Sequence, residues 1–398
     1  MRALLLAAGV ILAGALMFTV LAPAAPAPVA GRPAAASETL QERLRRLPGD
    51  HRGWARLAIQ YVDQARITGD PSYYAKAEGA LATAARLDPG DDTVLTGRAA
   101  LAAARHEFAD AARLAERAID ANPYSAAAHG VLADARTQLG DLAAADRAVA
   151  RMTSLRPGVA SFARASYAAE LRGDVTRART YLEYAHDDAH RPADVAYTRY
   201  YLGELALHGH DLRTADRWYA AALDASPAHT PALAGRARVA ALSGRLTEAL
   251  ALYDTVVGRL PLPQYLIEQG ETRLKAGLPA DWTLLTAQRT LMERAGVRDD
   301  LTWAEFEADH GDPAAAVRHA RAEYARNPNP VAADALAWAL FRSGDARAAL
   351  PYAERATASG LRSPLLRYHR ARIERALGRD TPLDPRFDPA LPALARFS

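Results

Sequence analysis

Two histidines, His186 and His190, have the residue type and the spacing that could hold a metal ion. They are four residues apart, so both imidazoles would lie on one face of a helix, where such pairs can ligate zinc. The metalloprotease form of this motif needs Glu directly after the first His as general base, but Asp187 stands there. The spacing indicates no third ligand. A solvated helix end is the favoured interpretation, and a metal-dependent enzyme or metal-binding protein using His186 and His190 is the alternative.

Other arrangements that carry chemistry are weaker. His208 and His210 flank Gly209 in a predicted helix–helix turn, where exposure to solvent is the simpler explanation. Residues 88–92 are rich in Asp but lack the full oxygen-ligand spacing of a calcium loop, so they are expected to end one helix and cap the next. The sequence has no Gly-x-Ser-x-Gly, no phosphate loop and no cysteine. We therefore predict a protein that is not an enzyme, with no catalytic, metal-binding or cofactor-binding residue.

The amino-acid composition limits the classes of partner that can be expected. Lys and Arg number 49 against 46 Asp and Glu, giving a formal net charge of +3 for 398 residues. A nucleic-acid-binding protein would show a strong basic excess, so nucleic acid is not an expected partner. The length suits two or three globular domains or one long repeat array.

Residues 1–36 have the pattern of an export signal or a membrane anchor. Arg2 precedes an uncharged stretch from Ala3 to Ala22, and the next residues are mostly Ala and Pro. Ala-x-Ala cleavage patterns occur at 22–24 and 34–36. Cleavage is favoured, and an uncleaved anchor is the alternative, because an apolar stretch of about 20 residues can span a bilayer. Either interpretation predicts a protein outside the cytoplasm, secreted or tethered to the cytoplasmic membrane by its N-terminus.

The remaining chain is repetitive. Pro89, Pro123 and Pro157 are 34 residues apart, and Pro227 and Pro261 have the same separation. A fixed period of this size indicates stacked supersecondary units. Segments of about a dozen residues between the breaks are rich in Ala and Arg, which favour helix.

Small residues recur at two positions of the repeat. The first series comprises Ala58, Ala99, Ala133, Ser166, Gly203, Ala237, Gly270, Ala304, Ala337 and Ala371. The second comprises Ala77, Ala111, Ala145, Ala178, Ala215, Ala249, Ala316 and Ala349. Between them lies a glycine turn, often followed by an Asp that can cap the next helix, as at Asp141, Asp174, Asp312 and Asp345. Two antiparallel helices that cross closely need small residues at the crossing, so the pattern predicts helix pairs.

The pattern resembles the tetratricopeptide repeat. The best match is Leu202-Gly203, Ala215, Tyr219, Ala222 and Pro227, and the resemblance covers roughly residues 44–378. It implies an all-α solenoid, a superhelix of about nine to ten antiparallel helix pairs over 37–380, followed by a Pro-rich tail at 381–398. It is specific for fold and says little about activity, because such repeats serve many partners.

Two regions depart from the repeat. The seventh unit departs from the repeat spacing, so either Trp282 or Ala287 could hold the small position of its second helix. A tryptophan would not fit a position that needs a small residue. We therefore favour Ala287, in a helix that starts near Asp281. Pro364–Gly378 is half a repeat with much Arg on its surface, as expected of a terminal cap whose outer face meets water.

The resemblance also implies that first helices line a concave groove. Carried over to this sequence, the solvent-facing positions of the groove hold Asp134, Tyr167, Tyr197, Tyr200, Glu204, His208, Arg238, Trp338, Phe341 and Arg342. Tyr and Trp offer large contact areas with a polar group and are favoured at interface hot spots. The alternative is that these aromatics pack against the neighbouring repeat.

The sequence thus predicts a non-enzymatic scaffold that binds a protein or peptide through its concave groove outside the cytoplasm. A purely structural spacer is a further alternative. The Ala- and Arg-rich composition suggests a bacterial source with a GC-rich genome.

Overall fold

The computed structural model describes residues 39–395, and within this range the chain forms twenty α-helices, one short 3-10 helix and no strand. The predicted leader, 1–36, lies outside the described residues. Among the described helices, none combines the length and the apolar character needed to cross a membrane. The helices are α1 (Leu40–Arg46), α2 (His51–Thr68), α3 (Ser72–Leu87), α4 (Asp92–Ala104), α5 (Phe108–Ala121), α6 (Ala126–Gln138), α7 (Leu142–Leu155), α8 (Val159–Leu171), α9 (Val175–Asp187), α10 (Pro192–His208), α11 (Leu212–Ala225), α12 (Thr230–Leu242), α13 (Leu246–Arg259), α14 (Pro263–Lys275), α15 (Thr283–Arg294), α16 (Asp300–His310), α17 (Pro313–Arg326), α18 (Pro330–Arg342), α19 (Ala346–Thr357) and α20 (Pro364–Ala376), and the 3-10 helix is Pro392–Ala395.

Helices α2 to α19 form nine pairs, in which each even-numbered helix packs on the odd-numbered helix that follows it. We call the even-numbered members first helices and the odd-numbered members second helices. Helix α20 is a tenth first helix, with no second helix after it in the described range. The prediction of an all-α solenoid of helix pairs is confirmed.

The turns follow the residues that the sequence placed there. Asp141, Asp174, Asp312 and Asp345 each accept a hydrogen bond from a backbone N–H in the first turn of the following helix. Most of the predicted turn glycines have positive φ, as Gly140 does at 76°. Gly311 is an exception, since its φ is −129°.

The small residues lie where helices cross. Members of both series that carry a side chain are at most 2% exposed. At Gly203 the contact is with the partner helix, because a Cβ there would lie 2.5 Å from Cε1 of Tyr219. The absence of a side chain at Gly203 therefore makes room for the tyrosine ring, as interior packing density requires.

The seventh pair corrects one prediction. Helix α15 begins at Thr283, two residues after Asp281, as expected, but Ala287 is exposed and does not hold the small position. Instead the ring of Trp282 lies against Gly270, where any Cβ would overlap it. A large residue is accommodated because its counterpart on α14 has no side chain.

First helices lie on the inner side of the curve. Along the whole described array each first helix contacts the next first helix, from α2 with α4 to α18 with α20. Consecutive second helices make no comparable contact. Since elements on the inside of a curve are closer together, first helices form the concave face.

The solenoid winds far enough for successive superhelical turns to touch. The backbone N–H of Arg298 donates to the carbonyl of Arg105 at 3.2 Å, and Nδ2 of Asn329 donates to the carbonyl of Gln138 at 2.9 Å. A Cβ on Gly140 would lie 2.6 Å from the carbonyl oxygen of Pro328. Each contact joins a turn within one pair to a linker several pairs later, so the concave face is enclosed rather than open.

Apolar clusters also bridge these superhelical turns. Tyr74 and Leu101 of the early pairs share a buried cluster with Met292 and Val297, and Leu171 packs with Ala304 and other residues of the late pairs. The core is therefore continuous between parts of the chain that are distant in sequence.

Candidate functional site

Ionisable side chains on first helices pair with those of the neighbouring repeat, and we call this set of contacts the concave ladder. Its members are Asp134 with Arg164, Glu170 with His208, Arg238 with both Glu204 and Glu268, Glu271 with His310, and Asp334 with His369. Most of these partners are 30 to 39 residues apart in sequence, which is about one repeat.

The centre of the ladder is a buried triad. Nη1 of Arg238 donates to Glu204 at 2.8 Å, and its Nε lies 3.3 Å from Glu268. Tyrosine hydroxyls of the second helices complete the set, with Tyr219 donating to Glu204 at 2.5 Å and Tyr253 to Glu268 at 3.1 Å. Burial raises the pKa of Glu268 despite Arg238, whereas Arg238 and His208 outweigh burial at Glu204 and lower its pKa.

Two further predicted groove residues belong to this ladder. Asp134 accepts from Nη2 of Arg164 at 2.7 Å, and burial raises the pKa of Asp134 against the effect of the guanidinium. Nδ1 of His208 lies 2.8 Å from Glu170. Burial alone would lower the pKa of His208, but the Glu170 carboxylate more than offsets it and the pKa is raised.

The three tyrosines among the predicted groove residues lie in different environments. Tyr200 is buried between Tyr201, Tyr219 and His229, with ring centroids 5.0–6.0 Å apart. Tyr167 is half-buried against the cluster of the late pairs. Tyr197 lines a cavity of about 400 Å³ that also involves Arg66 and His229, where burial and Arg66 lower the pKa of His229 to about 4.

The expectation that the groove positions face solvent is therefore wrong for Asp134, Tyr200, Glu204, Arg238 and Trp338, all of which are buried. The residue after the small position points into the seam between neighbouring first helices, which approach each other closely. Packing against the next repeat was the alternative for the aromatics, and it holds for Tyr200 and Trp338. A role of these residues in partner binding stays a prediction.

Three predicted residues do come together near the end of the array. Trp338, Phe341 and Arg342 line a cavity of about 390 Å³, which we call the C-terminal cleft, together with Tyr368 and Arg372 of α20. Phe341 stacks on Trp338 at 5.3 Å, and the Arg342 guanidinium lies 5.7 Å from the Trp338 ring. Arg342 and Arg372 are exposed, so the cleft has an aromatic floor and a cationic rim.

Trp338 is held in place from two sides. Its Nε1 donates to Asp309 of the preceding first helix at 2.8 Å. Its ring stacks on His369 with centroids 3.9 Å apart and planes 10° apart, and His369 in turn pairs with Asp334 at 2.8 Å. The floor of the cleft is therefore rigid.

The C-terminal segment Thr381–Ala395 folds back over the concave side and forms one wall of this cleft through Phe387, Pro389 and Pro392. Its Asp388 pairs with Lys275, and the N–H of Ala393 donates to Glu271 at 2.8 Å. Glu271 and Lys275 were not among the predicted groove residues. Glu271 directly follows the small residue Gly270, so the rule that selected Glu204 could have found it.

The alternative metal site is not formed. Helix α9 ends at Asp187, so His190 lies beyond the helix and the i, i+4 face does not exist. Nδ1 of His186 lies 3.1 Å from Oγ1 of Thr198, and His190 is exposed. Neither histidine belongs to a group of three or more potential metal ligands in the described part of the chain.

One group in residues 39–395 does bring three such ligands together, namely His51, Asp88 and Asp91. Oδ2 of Asp91 is already taken by Nε of Arg52 at 2.8 Å, and its other oxygen caps α4 through Thr93 and Val94. Asp88 accepts from the N–H groups of Gly90 and Asp91. These acids perform the capping role that the sequence predicted.

Three features identify the fold: the nine stacked helix pairs, the small residues where the helices cross, and the inner row of first helices. The chain is a tetratricopeptide-like α-solenoid. No protein-family model matches it, and no curated protein sequence matches it. Assignment of the solenoid rests on the helix pairs themselves.

Solved structures of several repeat proteins are similar to parts of the solenoid. The Pseudomonas aeruginosa pilF structure is 13% identical, covers 55% of this chain and 94% of its own, and has a TM-score of 0.39. A tetratricopeptide repeat protein from Parabacteroides merdae is 14% identical over 63% of this chain and 96% of its own, with a TM-score of 0.43. Cut9–Hcn1 of the APC/C is 15% identical over 76% of this chain and 51% of its own, with a TM-score of 0.43.

Proposed function

We propose that this protein is a non-enzymatic scaffold that binds a protein or peptide outside the cytoplasm. The observation that carries the proposal is the C-terminal cleft, where Trp338 and Tyr368 form an aromatic floor below the exposed Arg342 and Arg372. Aromatic residues and Arg dominate the binding energy of protein interfaces because they combine large area with directed polar contacts.

The ionisable groups of the concave face support binding rather than catalysis. Glu204, Arg238 and Glu268 form ion pairs between repeats and hold successive first helices together. These side chains are engaged within the fold, whereas Arg342 and Arg372 at the C-terminal cleft are exposed.

A photo-crosslinking amino acid at Phe341 tests the binding surface in the native host. The matched control places the same amino acid at Tyr184, an exposed aromatic position on a second helix. We expect a defined crosslinked product at Phe341 alone, with the captured chain identified by mass spectrometry. Equal products from both positions, or none, would remove the proposal.

The captured chain, once purified, then allows an affinity measurement. We expect the double variant Arg342→Ala/Arg372→Ala to bind it at least about ten-fold more weakly, because both residues form the cationic rim. Arg113→Ala/Arg347→Ala removes two exposed arginines from second helices and serves as the control. The idea fails if both double variants lose affinity equally.

The proposed location depends on the leader sequence. We expect the protein isolated from cells either to begin within residues 23–37 or to retain residue 1 while its repeats stay open to protease added to spheroplasts. N-terminal sequencing and protease accessibility check this, and repeats that resist protease until the cytoplasmic membrane is broken would contradict it.

A further inference from the structure

The segment Thr381–Ala395, which we call the C-terminal strap, covers part of the concave side. We propose that the strap is a displaceable occupant of a peptide-binding groove, and that the groove's external ligand is a peptide with the same chemistry: an aromatic side chain, a carboxylate beside it, and two aliphatic side chains further along. This inference rests on the proposed function, because it names the surface and the ligand class of the same scaffold.

The aromatic position is Phe387. It is buried against Tyr368, with ring centroids 4.3 Å apart, and it lies 6.1 Å from His369. Because Tyr368 and His369 belong to α20 and His369 stacks on Trp338, the Phe387 ring extends the floor of the C-terminal cleft. An aromatic ring from another peptide would find the same surface.

The charged position is Asp388. It forms an ion pair with Lys275 at the end of α14, and both side chains are half-buried. Lysine occurs at only one other position in the whole sequence, Lys76, in a chain that otherwise uses arginine. The pair fixes the register of the strap on the groove, because a charge in this position cannot shift along the strap without losing its partner.

The aliphatic positions are Leu391 and Leu394. They are 1% and 4% exposed, and they pack in one cluster with Ala237, Ala240 and Ala241 of α12. Alanines on this face leave space that the two leucines fill. Burial of a leucine side chain is strongly favourable, so these two residues supply much of the strap's attachment.

A main-chain contact completes the site. The N–H of Ala393 donates to Oε2 of Glu271 at 2.8 Å, and the other oxygen of that carboxylate lies 2.9 Å from Nε2 of His310. Glu271 is fully buried, so its carboxylate is a fixed acceptor rather than a surface group. Recognition of a backbone N–H does not depend on the side chain, so a peptide with another residue at this position can make the same contact.

The strap is suited to exchange. Consecutive first helices contact each other directly, in addition to their contacts with the strap. The strap has no α-helix; it has turns at 385–386 and 389–390 and the short 3-10 helix Pro392–Ala395. Prolines at 382, 385, 389 and 392 restrict its backbone, which reduces the entropy lost on binding for the strap and for a similar peptide.

A labelled peptide with the sequence of residues 381–395 tests the proposal on the full chain. The variant Leu391→Asp/Leu394→Asp should release the strap, because it places two charges in an apolar cluster. By fluorescence anisotropy we expect this variant to bind the peptide at least about ten-fold more tightly than the wild-type chain does, because an occupied groove lowers the apparent affinity in proportion to the free fraction.

A charge exchange shows that binding is specific. Asp388→Lys in the peptide should weaken binding to the released variant by at least about ten-fold, and Lys275→Asp in the protein should restore it. A released variant that keeps its helical circular dichroism yet binds neither peptide would overturn the proposal. Equal affinities of the wild-type and released chains would overturn it as well.

A milder variant decides the matter if the double aspartate variant does not fold. Lys275→Asp in the otherwise unchanged chain should speed hydrogen exchange at the Ala393 and Leu394 amides, and Asp388→Lys in the same chain should slow it again. Unchanged exchange in Lys275→Asp would overturn the proposal. A partner crosslinked at Phe341 with equal yield from wild type and strap-released protein would leave the scaffold function standing and remove the role of the strap.

Discussion

At the residue scale, Gly203 and Tyr219 show how one missing side chain positions a helix pair. A Cβ on Gly203 would overlap the Tyr219 ring, and that ring also lies against Gly235 of the next first helix. The hydroxyl of the same tyrosine donates to Glu204, so close approach and the concave ladder depend on each other. Small residues here determine where the polar groups meet.

We therefore expect Gly203→Leu to lower the free energy of unfolding by about 3 kcal/mol or more, because overpacking at a helix crossing forces the pair apart. The matched control is Gly79→Leu in α3, where a Cβ would have nothing within 4 Å and leucine favours helix more than glycine does. Urea unfolding followed by circular dichroism compares the two. Equal stability of Gly203→Leu and wild type would contradict the steric account.

Glu323 should make the free energy of unfolding depend on pH. It is 3% exposed on α17, and burial, with Asp299 and Asp300 adding to it, raises its pKa to about 7 although Asn327 and Arg326 oppose the shift. A carboxyl whose pKa is raised by folding favours the folded state most at low pH. Its contribution is complete below its unfolded pKa and is lost as the pH rises through about 7.

Glu323→Gln should remove this contribution, so the unfolding free energy of the variant should fall less than that of wild type between pH 5 and pH 8. The difference is on the order of 1–3 kcal/mol, given that one pKa unit corresponds to about 1.4 kcal/mol. Urea titrations at both pH values measure it. Glu248→Gln removes an exposed carboxylate paired with Arg245 and is the control; parallel pH curves for wild type and Glu323→Gln would refute the assignment.

At the element scale, the buried ladder joins one repeat to the next. Arg238 on α12 contacts Glu204 on α10 and Glu268 on α14, so a single guanidinium connects three consecutive first helices. Its removal leaves two buried carboxylates without their cation. A buried ion pair is most costly when one partner alone is lost.

Arg238→Met should therefore destabilise the solenoid by about 3–5 kcal/mol. The triple variant Glu204→Gln/Arg238→Met/Glu268→Gln should recover much of this loss, because no charge is then left buried. Arg113→Ala, which breaks an exposed pair with Asp110, should cost less than about 1 kcal/mol. Thermal unfolding of the four proteins tests the order, and a triple variant less stable than Arg238→Met would contradict it.

Local rules were enough to predict the elements. Helix pairs, aspartate caps and small crossing residues all follow from spacing within one repeat, and the described structure has them at the predicted positions. The predicted small position was wrong only in the seventh pair, where a large residue, Trp282, lies against a residue without a side chain, Gly270.

At the scale of the whole molecule, the winding of the solenoid could not be predicted from the sequence. Gly140 and Gly244 are the same residue type at the same repeat position, with φ of 76° in both. Gly140 faces the Pro328 carbonyl across the superhelical turn, while a Cβ on Gly244 would meet nothing within 4 Å. No local signal distinguishes them, so the enclosed concave face could not be predicted.

This pair of glycines provides matched variants for the central claim, that successive superhelical turns touch and enclose the concave face. In Gly140→Ala/Gly173→Ala, the new methyl groups would overlap the carbonyls of Pro328 and Gly360. Gly244→Ala/Gly277→Ala imposes the same backbone strain, with φ of 76° and 75°, where there is open space. Any difference between the two double variants therefore reports contact between the superhelical turns.

Small-angle X-ray scattering of wild type and both double variants is the most direct measurement. We expect the radius of gyration of Gly140→Ala/Gly173→Ala to rise while its helical circular dichroism is retained, and that of Gly244→Ala/Gly277→Ala to equal the wild-type value. An identical radius of gyration for all three proteins, or a wild-type scattering curve of an open, extended superhelix, would contradict the account.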